Sequence, residues 1–192
     1  MNYLLSFDQL ITAFLRNFFP HMQFFNLFFS FFSLKGNSIV VWLLVILTSL
    51  ILEERKNPGI SRKDKNFIIL FSLSFLLAGL IVAFPLKNLF HRPRPAFAKA
   101  SAGKLFLTSS CPTDFSFPSG HAATAFTAAC VLTYFDKKRR WFYYIVALLI
   151  SYSRIYLGCH YFFDVVAGTI IGLFISKLFL FGRGTFPSRR RS

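Results

Sequence analysis

Long apolar runs separated by short polar clusters set the pattern of this chain. Five runs read as helices of spanning length once flanking residues are counted: Ser38–Leu52, Phe67–Phe84, Ser119–Phe135, Trp141–Leu157 and Phe162–Phe181. The hydrocarbon core of a bilayer calls for roughly 17–25 residues per helix, and a segment inside it satisfies its backbone groups internally only as a helix. Ser38–Leu52 is the shortest and must extend into its flanks. Residues 1–34 break the pattern: Leu4–Phe19 carries Asp8, Arg16 and Asn17, Pro20 and His21 interrupt, and Met22–Leu34 is apolar but short. Two readings fit this segment, a sixth kinked span or a pair of helices lying in the membrane interface. The interfacial form is preferred because neither half alone reaches spanning length. The expected fold class is all-α, a polytopic membrane helix bundle with five clear spans plus this N-terminal segment, formed as a single domain over 1–192 with no internal repeat.

Composition agrees. Hydrophobic residues make up 55% of the chain and charged residues 15%, too little charge for the surface of a soluble domain of 192 residues. The 28 phenylalanines suit lipid-facing helices and interfacial belts. The N-terminus lacks the features of a signal peptide, since Asp8 interrupts it with no basic region before and no small-residue cleavage site after.

The formal net charge of +15 raises nucleic acid as a partner, but the basic residues fall in loop clusters rather than a stripe. Arg55, Lys56, Arg62, Lys63 and Lys65 form one, Lys137–Arg140 another, and Arg189, Arg190 and Arg191 a third. Such clusters mark cytoplasmic loops, so the expected partners are the bilayer and anionic lipid headgroups, not nucleic acid. The loops around Lys35–Asn37, Lys87–Pro118 and Gly158–Tyr161 then face outward, although Lys87–Pro118 is itself basic. Ala96–Gly103 within it is a small-residue stretch expected to be flexible. Cys111, Cys130 and Cys159 form no zinc spacing. Cys130 reads as a small buried side chain, whereas Cys111 and Cys159 share one membrane side, which allows a bridge without requiring one.

Three polar clusters explain the basic outer loop. Lys87 is followed by Arg94-Pro95 after the second span, Pro118-Ser119-Gly120-His121 opens the third, and Ser153-Arg154, His160 and Asp164 bridge the fourth and fifth. In a bundle all three meet at one membrane face. Lys87, Arg94 and Arg154 supply fixed cations, and Arg can grip phosphate oxygens bidentately. Ser119, Gly120 and His121 lie at a helix start, where N–H groups and the dipole favour an anion. His160 and Asp164 are four apart and share a helix face. The carboxylate can therefore fix the tautomer and leave the other ring nitrogen to attack. His121 is the candidate proton donor to the leaving group. Gly168 and Gly172 continue the Asp164 stripe and allow close packing of a neighbour, with Ala125 and Ala129 of the third span as the expected partners. The remaining polar residues read as structural. His91 and Arg92 are assigned to loop or headgroup contacts, Asp114 to a turn, His21 to the interface, and Glu53 and Glu54 to helix-end charge.

At these residues the sequence resembles the type 2 phosphatidic acid phosphatase family, membrane relatives of the vanadium haloperoxidases. The family pattern is Lys-x6-Arg-Pro, then Pro-Ser-Gly-His, then Ser-Arg-x5-His-x3-Asp, and all three occur complete over residues 87–164. The spacing selects Arg94 over Arg92. A departure is Tyr161-Phe162-Phe163, where the family commonly places a proline after the aromatic residue. The resemblance implies an all-α bundle of about six helices and metal-independent hydrolysis without a cofactor. It also implies a phosphohistidine on His160, acid catalysis by His121, and phosphate contacts from Lys87, Arg94, Ser119, Gly120 and Arg154.

Membrane members of the family act on phosphatidate, phosphatidylglycerophosphate, undecaprenyl diphosphate or lipid A. The expected function is thus a lipid phosphatase in the cell membrane with its site on the extracytoplasmic side, and an undecaprenyl-diphosphate-like carrier is the first candidate substrate. A phosphotransferase using the same phosphohistidine is the alternative. A non-catalytic lipid transporter or scaffold would not need two histidines, three cations and an aspartate at one face. The pattern selects neither the individual lipid nor an oligomeric state.

Overall fold

A helix rich in alanine organises the packing. The computed structural model describes residues 2–33, 40–47, 62–95 and 111–181, and among these the regular elements are all helical. They are α1 (Asn2–Arg16), α2 (Gln23–Ser33), α3 (40–47), α4 (Arg62–Ile81), α5 (Lys87–Phe90), α6 (Gly120–Phe135), α7 (Arg140–Tyr156) and α8 (Phe162–Phe181). Helix α6 packs against α4, α7 and α8. Ala122, Ala123, Ala125, Ala128 and Ala129 are buried along it, so three helices approach a backbone with little side chain between.

Predicted and observed boundaries agree where caps act locally. Helix α8 spans the predicted Phe162–Phe181, and α6 begins one residue later than predicted because Ser119 is its N-cap, accepting from the Ala122 N–H. The second predicted span is longer than expected. Pro85, which cannot donate an N–H, is absorbed by a wide π turn, Val82–Leu86, and the rod continues into α5. His91, with a left-handed φ of 47°, ends it. This continuation carries Lys87 to the site end of the bundle. Only 40–47 of the first predicted span lies within the described residues. Ala96–Gly103 and the basic clusters at 55–56 and 189–191 lie outside them.

The stretches Asp64–Phe90 and Phe162–Phe181 are long and apolar enough to cross a bilayer. Helices α6 and α7, of 16 and 17 residues, rise about 24–26 Å. Leu73, Leu76 and Leu80 of α4, Ile145 and Leu148 of α7, and Ile170 and Phe174 of α8 face outward, giving an apolar exterior.

The N-terminal segment forms two helices broken near Pro20 and is inside out. In α1, Tyr3, Leu4, Phe7, Leu10 and Phe14 are exposed while Asp8 and Thr12 are buried. In α2, Phe24, Leu27 and Phe31 are exposed while Asn26, Ser30 and Ser33 are buried. Helix α1 packs on α7 and α8, and α2 on α7. The polar stripe of this hairpin therefore faces the helices that carry the predicted chemistry.

Candidate active site

The loop between α7 and α8 presents His160 at the base of the site. Its backbone N–H, with that of Cys159, donates to the Arg154 carbonyl, and Gly158 takes a positive φ of 72° to make the turn. The ring lies between two groups of opposite charge. Nδ1 is 3.4 Å from Oδ2 of Asp164, and Nε2 is 3.3 Å from Nη1 of Arg94. Asp164 Oδ2 also accepts the Tyr161 N–H at 2.9 Å. One ring nitrogen is thus backed by a carboxylate, while the other points at a guanidinium suited to a phosphate oxygen. Burial, reinforced by Arg154, Arg94 and Lys87, holds the His160 imidazole well below the usual histidine range. A neutral imidazole is what a nucleophile requires.

Arg94 is fixed by several acceptors. Nη1 donates to the Cys159 carbonyl at 2.8 Å, Nε to the Asp114 carbonyl at 2.9 Å, and Nη2 to Asp114 Oδ1 at 2.5 Å. The other Asp114 oxygen accepts from Lys87 Nζ at 2.5 Å. Sequence reasoning assigned Asp114 to a turn; instead its carboxylate bridges two of the three predicted phosphate-binding cations. Burial pushes this carboxyl up, but the hydrogen bonds and charges of Lys87 and Arg94 outweigh it and hold it below the usual range. A disulfide between Cys111 and Cys159 joins the Asp114 segment to the His160 loop across 48 residues.

The start of α6 is tied to the same place. Ser119 donates its backbone N–H to the Asp164 carbonyl at 2.9 Å, so that N–H is not available to an anion as the sequence suggested. Gly120 and His121 are the first residues of the helix, and their N–H groups have no intrahelical acceptor. His121 lies within electrostatic reach of Arg154, His160, Lys87 and Arg94. Beneath them, a Cβ on Gly168 would fall 2.3 Å from the Ser119 oxygen, and one on Gly172 2.2 Å from the Ala123 oxygen. The glycine stripe therefore seats α6, as predicted. Its partners are Ser119, Ala122 and Ala123, whereas Ala125 and Ala129 belong to the apolar core shared with α7. Thr127 Oγ1 adds a bond to the Gly172 carbonyl at 3.0 Å.

Arg154 is fully buried, and its Nη1 donates to the Ser33 carbonyl at 2.8 Å and to the Ser33 hydroxyl. Arg92, assigned from sequence to loop or headgroup contacts, is instead an internal ion-pair partner. It donates to Asp164 Oδ1 and to Asp8 Oδ2, each at 2.6 Å, and lies 4.1 Å over the Tyr161 ring. The spacing rule that selected Arg94 gave no signal for Arg92. For Asp8 there was one: with Thr12 it forms a polar pair four apart on one face of a largely apolar helix.

The eight predicted site residues lie on α5, the loop after it, the start of α6, the end of α7, the loop between α7 and α8, and the start of α8. An undecaprenyl-diphosphatase of Sulfolobus acidocaldarius is 41% identical over 86 residues, 44% of this chain and 42% of that protein. The chain spans about half or less of the length of the curated relatives it matches. Two crystal structures are similar over nearly the whole fold. LpxE of Aquifex aeolicus is 30% identical with a TM-score of 0.59, covering 92% of this chain and 93% of its own. A PAP2 type phosphatidylglycerolphosphate phosphatase from Bacillus subtilis is 25% identical with a TM-score of 0.63, covering 100% of this chain and 90% of its own. The family profile described as the PAP2 superfamily matches residues 67–185, which contain all eight predicted site residues, and the chain belongs to that superfamily.

Proposed function

We propose that this protein is an integral membrane phosphatase that hydrolyses a lipid phosphate or diphosphate through a phosphohistidine on His160. The observation that carries this is the placement of His160, with Nδ1 against Asp164 and Nε2 against Arg94. Nε2 attacks phosphorus, the phosphorus–oxygen bond to the lipid breaks, and His121 gives the departing oxygen its proton. Asp164 stabilises the charge that develops on the imidazole. Arg94, Lys87, Arg154, the Ser119 hydroxyl and the first N–H groups of α6 hold the phosphoryl oxygens. Water, activated by the now basic His121, then attacks the phosphohistidine and releases phosphate. No step calls for a metal ion.

The relatives support a lipid carrying a terminal phosphate as the substrate. The Sulfolobus relative is named for undecaprenyl diphosphate and the Bacillus subtilis structure for phosphatidylglycerolphosphate. Both are lipids with a terminal phosphate at headgroup level. We take the polyprenyl diphosphate as the first substrate to test.

The apolar exterior supports a bundle of five spans, with α1 and α2 as a shallow hairpin beside the site. Two observations favour an extracytoplasmic site. The Cys111–Cys159 disulfide beside His160 suits an oxidising compartment, and the basic cluster at Lys137–Arg140 lies at the other end of α6.

The test is phosphate release by purified protein in detergent micelles from undecaprenyl diphosphate, phosphatidate, phosphatidylglycerophosphate and lipid A, with and without EDTA. Release from at least one, unaffected by chelator and absent in His160→Ala, is expected. No release from any of them overturns the reading.

A further inference from the structure

Asp8 is an unusual residue to find on a helix whose outer face is Tyr3, Leu4, Phe7 and Phe14. It is 1% exposed, and every polar contact it makes leads towards the catalytic helix. Oδ1 accepts the Phe163 N–H at 2.9 Å, and Oδ2 accepts from Arg92 Nη2 at 2.6 Å. Through its other terminal nitrogen, Arg92 reaches Asp164 Oδ1 at 2.6 Å, and the opposite oxygen of Asp164 faces His160 Nδ1. We propose that Asp8 is a positioning residue for the reaction: acting through Arg92, it holds Asp164 and therefore the ring of His160.

The argument is one of charge as well as geometry. A half-buried guanidinium with one carboxylate partner would direct most of its charge at that carboxylate. Asp164 would then be largely neutralised and poorly able to support an imidazole that becomes cationic on phosphorylation. With Asp8 on its second nitrogen, Arg92 divides its charge between two carboxylates. Asp164 keeps enough negative charge to serve His160. The same contact fixes the plane of Arg92, and with it the Asp164 oxygen it holds. Neither Asp8 nor Arg92 is placed to touch the phosphoryl oxygens. Their loss should slow turnover without weakening substrate binding.

A simpler role would be docking alone, since Asp8 caps one free N–H of α8. Thr12 separates the two roles. One turn along α1, its hydroxyl oxygen accepts the Phe162 N–H at 2.9 Å, and among the described residues that N–H is its only hydrogen-bond partner and it meets no charge. If α1 is only docked, Asp8→Asn and Thr12→Val should have similar consequences. If Asp8 positions Arg92, only the first should slow the reaction.

This inference rests on the reading of His160 as nucleophile, and the experiment separates the two. The full chain and the variants Asp8→Asn, Arg92→Gln, their double variant and Thr12→Val are assayed on the lipid phosphate that the wild type hydrolyses fastest. Asp8→Asn should lower kcat about tenfold or more, the scale seen when the outer partner of a ligating histidine is lost, with KM within about twofold of wild type. Thr12→Val should keep kcat within about twofold. The double variant should be no slower than Arg92→Gln alone, because the two act in series. Should Asp8→Asn fail to fold, the double variant, which removes both charges, is compared with Arg92→Gln in its place. A kcat for Asp8→Asn equal to wild type, equal slowing by Thr12→Val, or multiplying losses in the double variant would each overturn the positioning role. A wild type inert towards every lipid phosphate would overturn the functional reading and this one with it.

Discussion

Ser119 donates its backbone N–H to the carbonyl of Asp164 at 2.9 Å, so the helix start proposed to receive the phosphate is joined directly to the residue that backs His160. The close approach is possible because Gly168 lies beneath it, where a Cβ would fall 2.3 Å from the Ser119 oxygen. Gly168→Ala must therefore separate α6 from α8 at the site. The expected cost is about 1–3 kcal/mol of stability, as for overpacking elsewhere, together with a loss of activity larger than that destabilisation alone explains. Thermal unfolding in detergent and phosphate release, measured on the same preparation, check both. Wild-type activity in Gly168→Ala would show that the contact is not needed for alignment.

The two histidines should fail differently. His160→Ala removes the proposed nucleophile and should abolish the acid-labile phosphoenzyme for every substrate in a rapid-quench experiment. His121→Ala removes the proposed proton donor and should cost about 10²–10⁴ with a lipid alkoxide leaving group. An aryl phosphate with an acidic phenol should still phosphorylate His160 in that variant. Equal losses for the two substrates, with the fold intact, would remove His121 from the acid role.

The pH profile carries a sign. His160 must be neutral to attack, and its burial among Arg154, Arg94 and Lys87 holds its pKa well below the ordinary 6.5. The acid limb of kcat/KM, which reports the free enzyme, should therefore lie below the usual histidine range, with activity retained as pH falls through 6.5. Arg94→Gln removes one of the cations and should move that limb to higher pH. The shift between the two proteins isolates the enzyme group from ionisation of the substrate. An unmoved limb would remove His160 as the titrating group.

Asp114 bridges Lys87 and Arg94, so a phosphate bound there as proposed must compete with a carboxylate already on both cations. Vanadate should inhibit by occupying the phosphate site, and Asp114→Asn should bind it more tightly, by about tenfold if ~1.4 kcal/mol of competition is relieved. Because Asp114 is held below the usual carboxylate range, the wild type should keep this competition into mildly acid solution and lose it only as the carboxyl protonates. Weaker vanadate binding in Asp114→Asn would show that the carboxylate instead organises the cations.

Sidedness is checked by labelling in a Cys130→Ser background that keeps the disulfide. Thr113→Cys, at an exposed position beside the site, should react with an impermeant maleimide on intact cells. Lys138→Cys, exposed at the far end of α6, should react only after permeabilisation. The reverse pattern would place the site in the cytoplasm.

What the sequence made legible was local. His160 and Asp164 share a face because they are four apart, Ser119 caps the helix that follows it, and Gly168 and Gly172 read as a packing stripe. These relations need only helical geometry. The predicted end at Phe84 falls short because a π turn takes in Pro85 and carries the helix through to Lys87, a local geometry with no periodic signal. Arg92 and Arg94 were indistinguishable as residue types. What separates them is the anion each meets, and for Arg92 that depends on partners 72 and 84 residues away. Asp114 is similar, since its role appears only when the loop is closed onto Lys87, 27 residues earlier. Long-range pairing of charges has no periodicity to read.

The inside-out hairpin also has a consequence for the order of biosynthesis. The Asp8 carboxylate binds the Phe163 N–H across 155 residues of chain. At translation rates of about 5–20 residues per second, α1 waits on the order of ten seconds before its acceptor partner has been made. Its ion-pair partner Arg92 is made sooner, 84 residues along, and before that its acidic side chain has no counterpart while its phenylalanines already prefer lipid. The helix can satisfy both demands by resting at the headgroup layer, with Asp8 in water, and it gains its contact with α8 only when the last span is inserted. Docking of α1 is then a late assembly step, and catalytic competence should appear only after synthesis of α8 is complete.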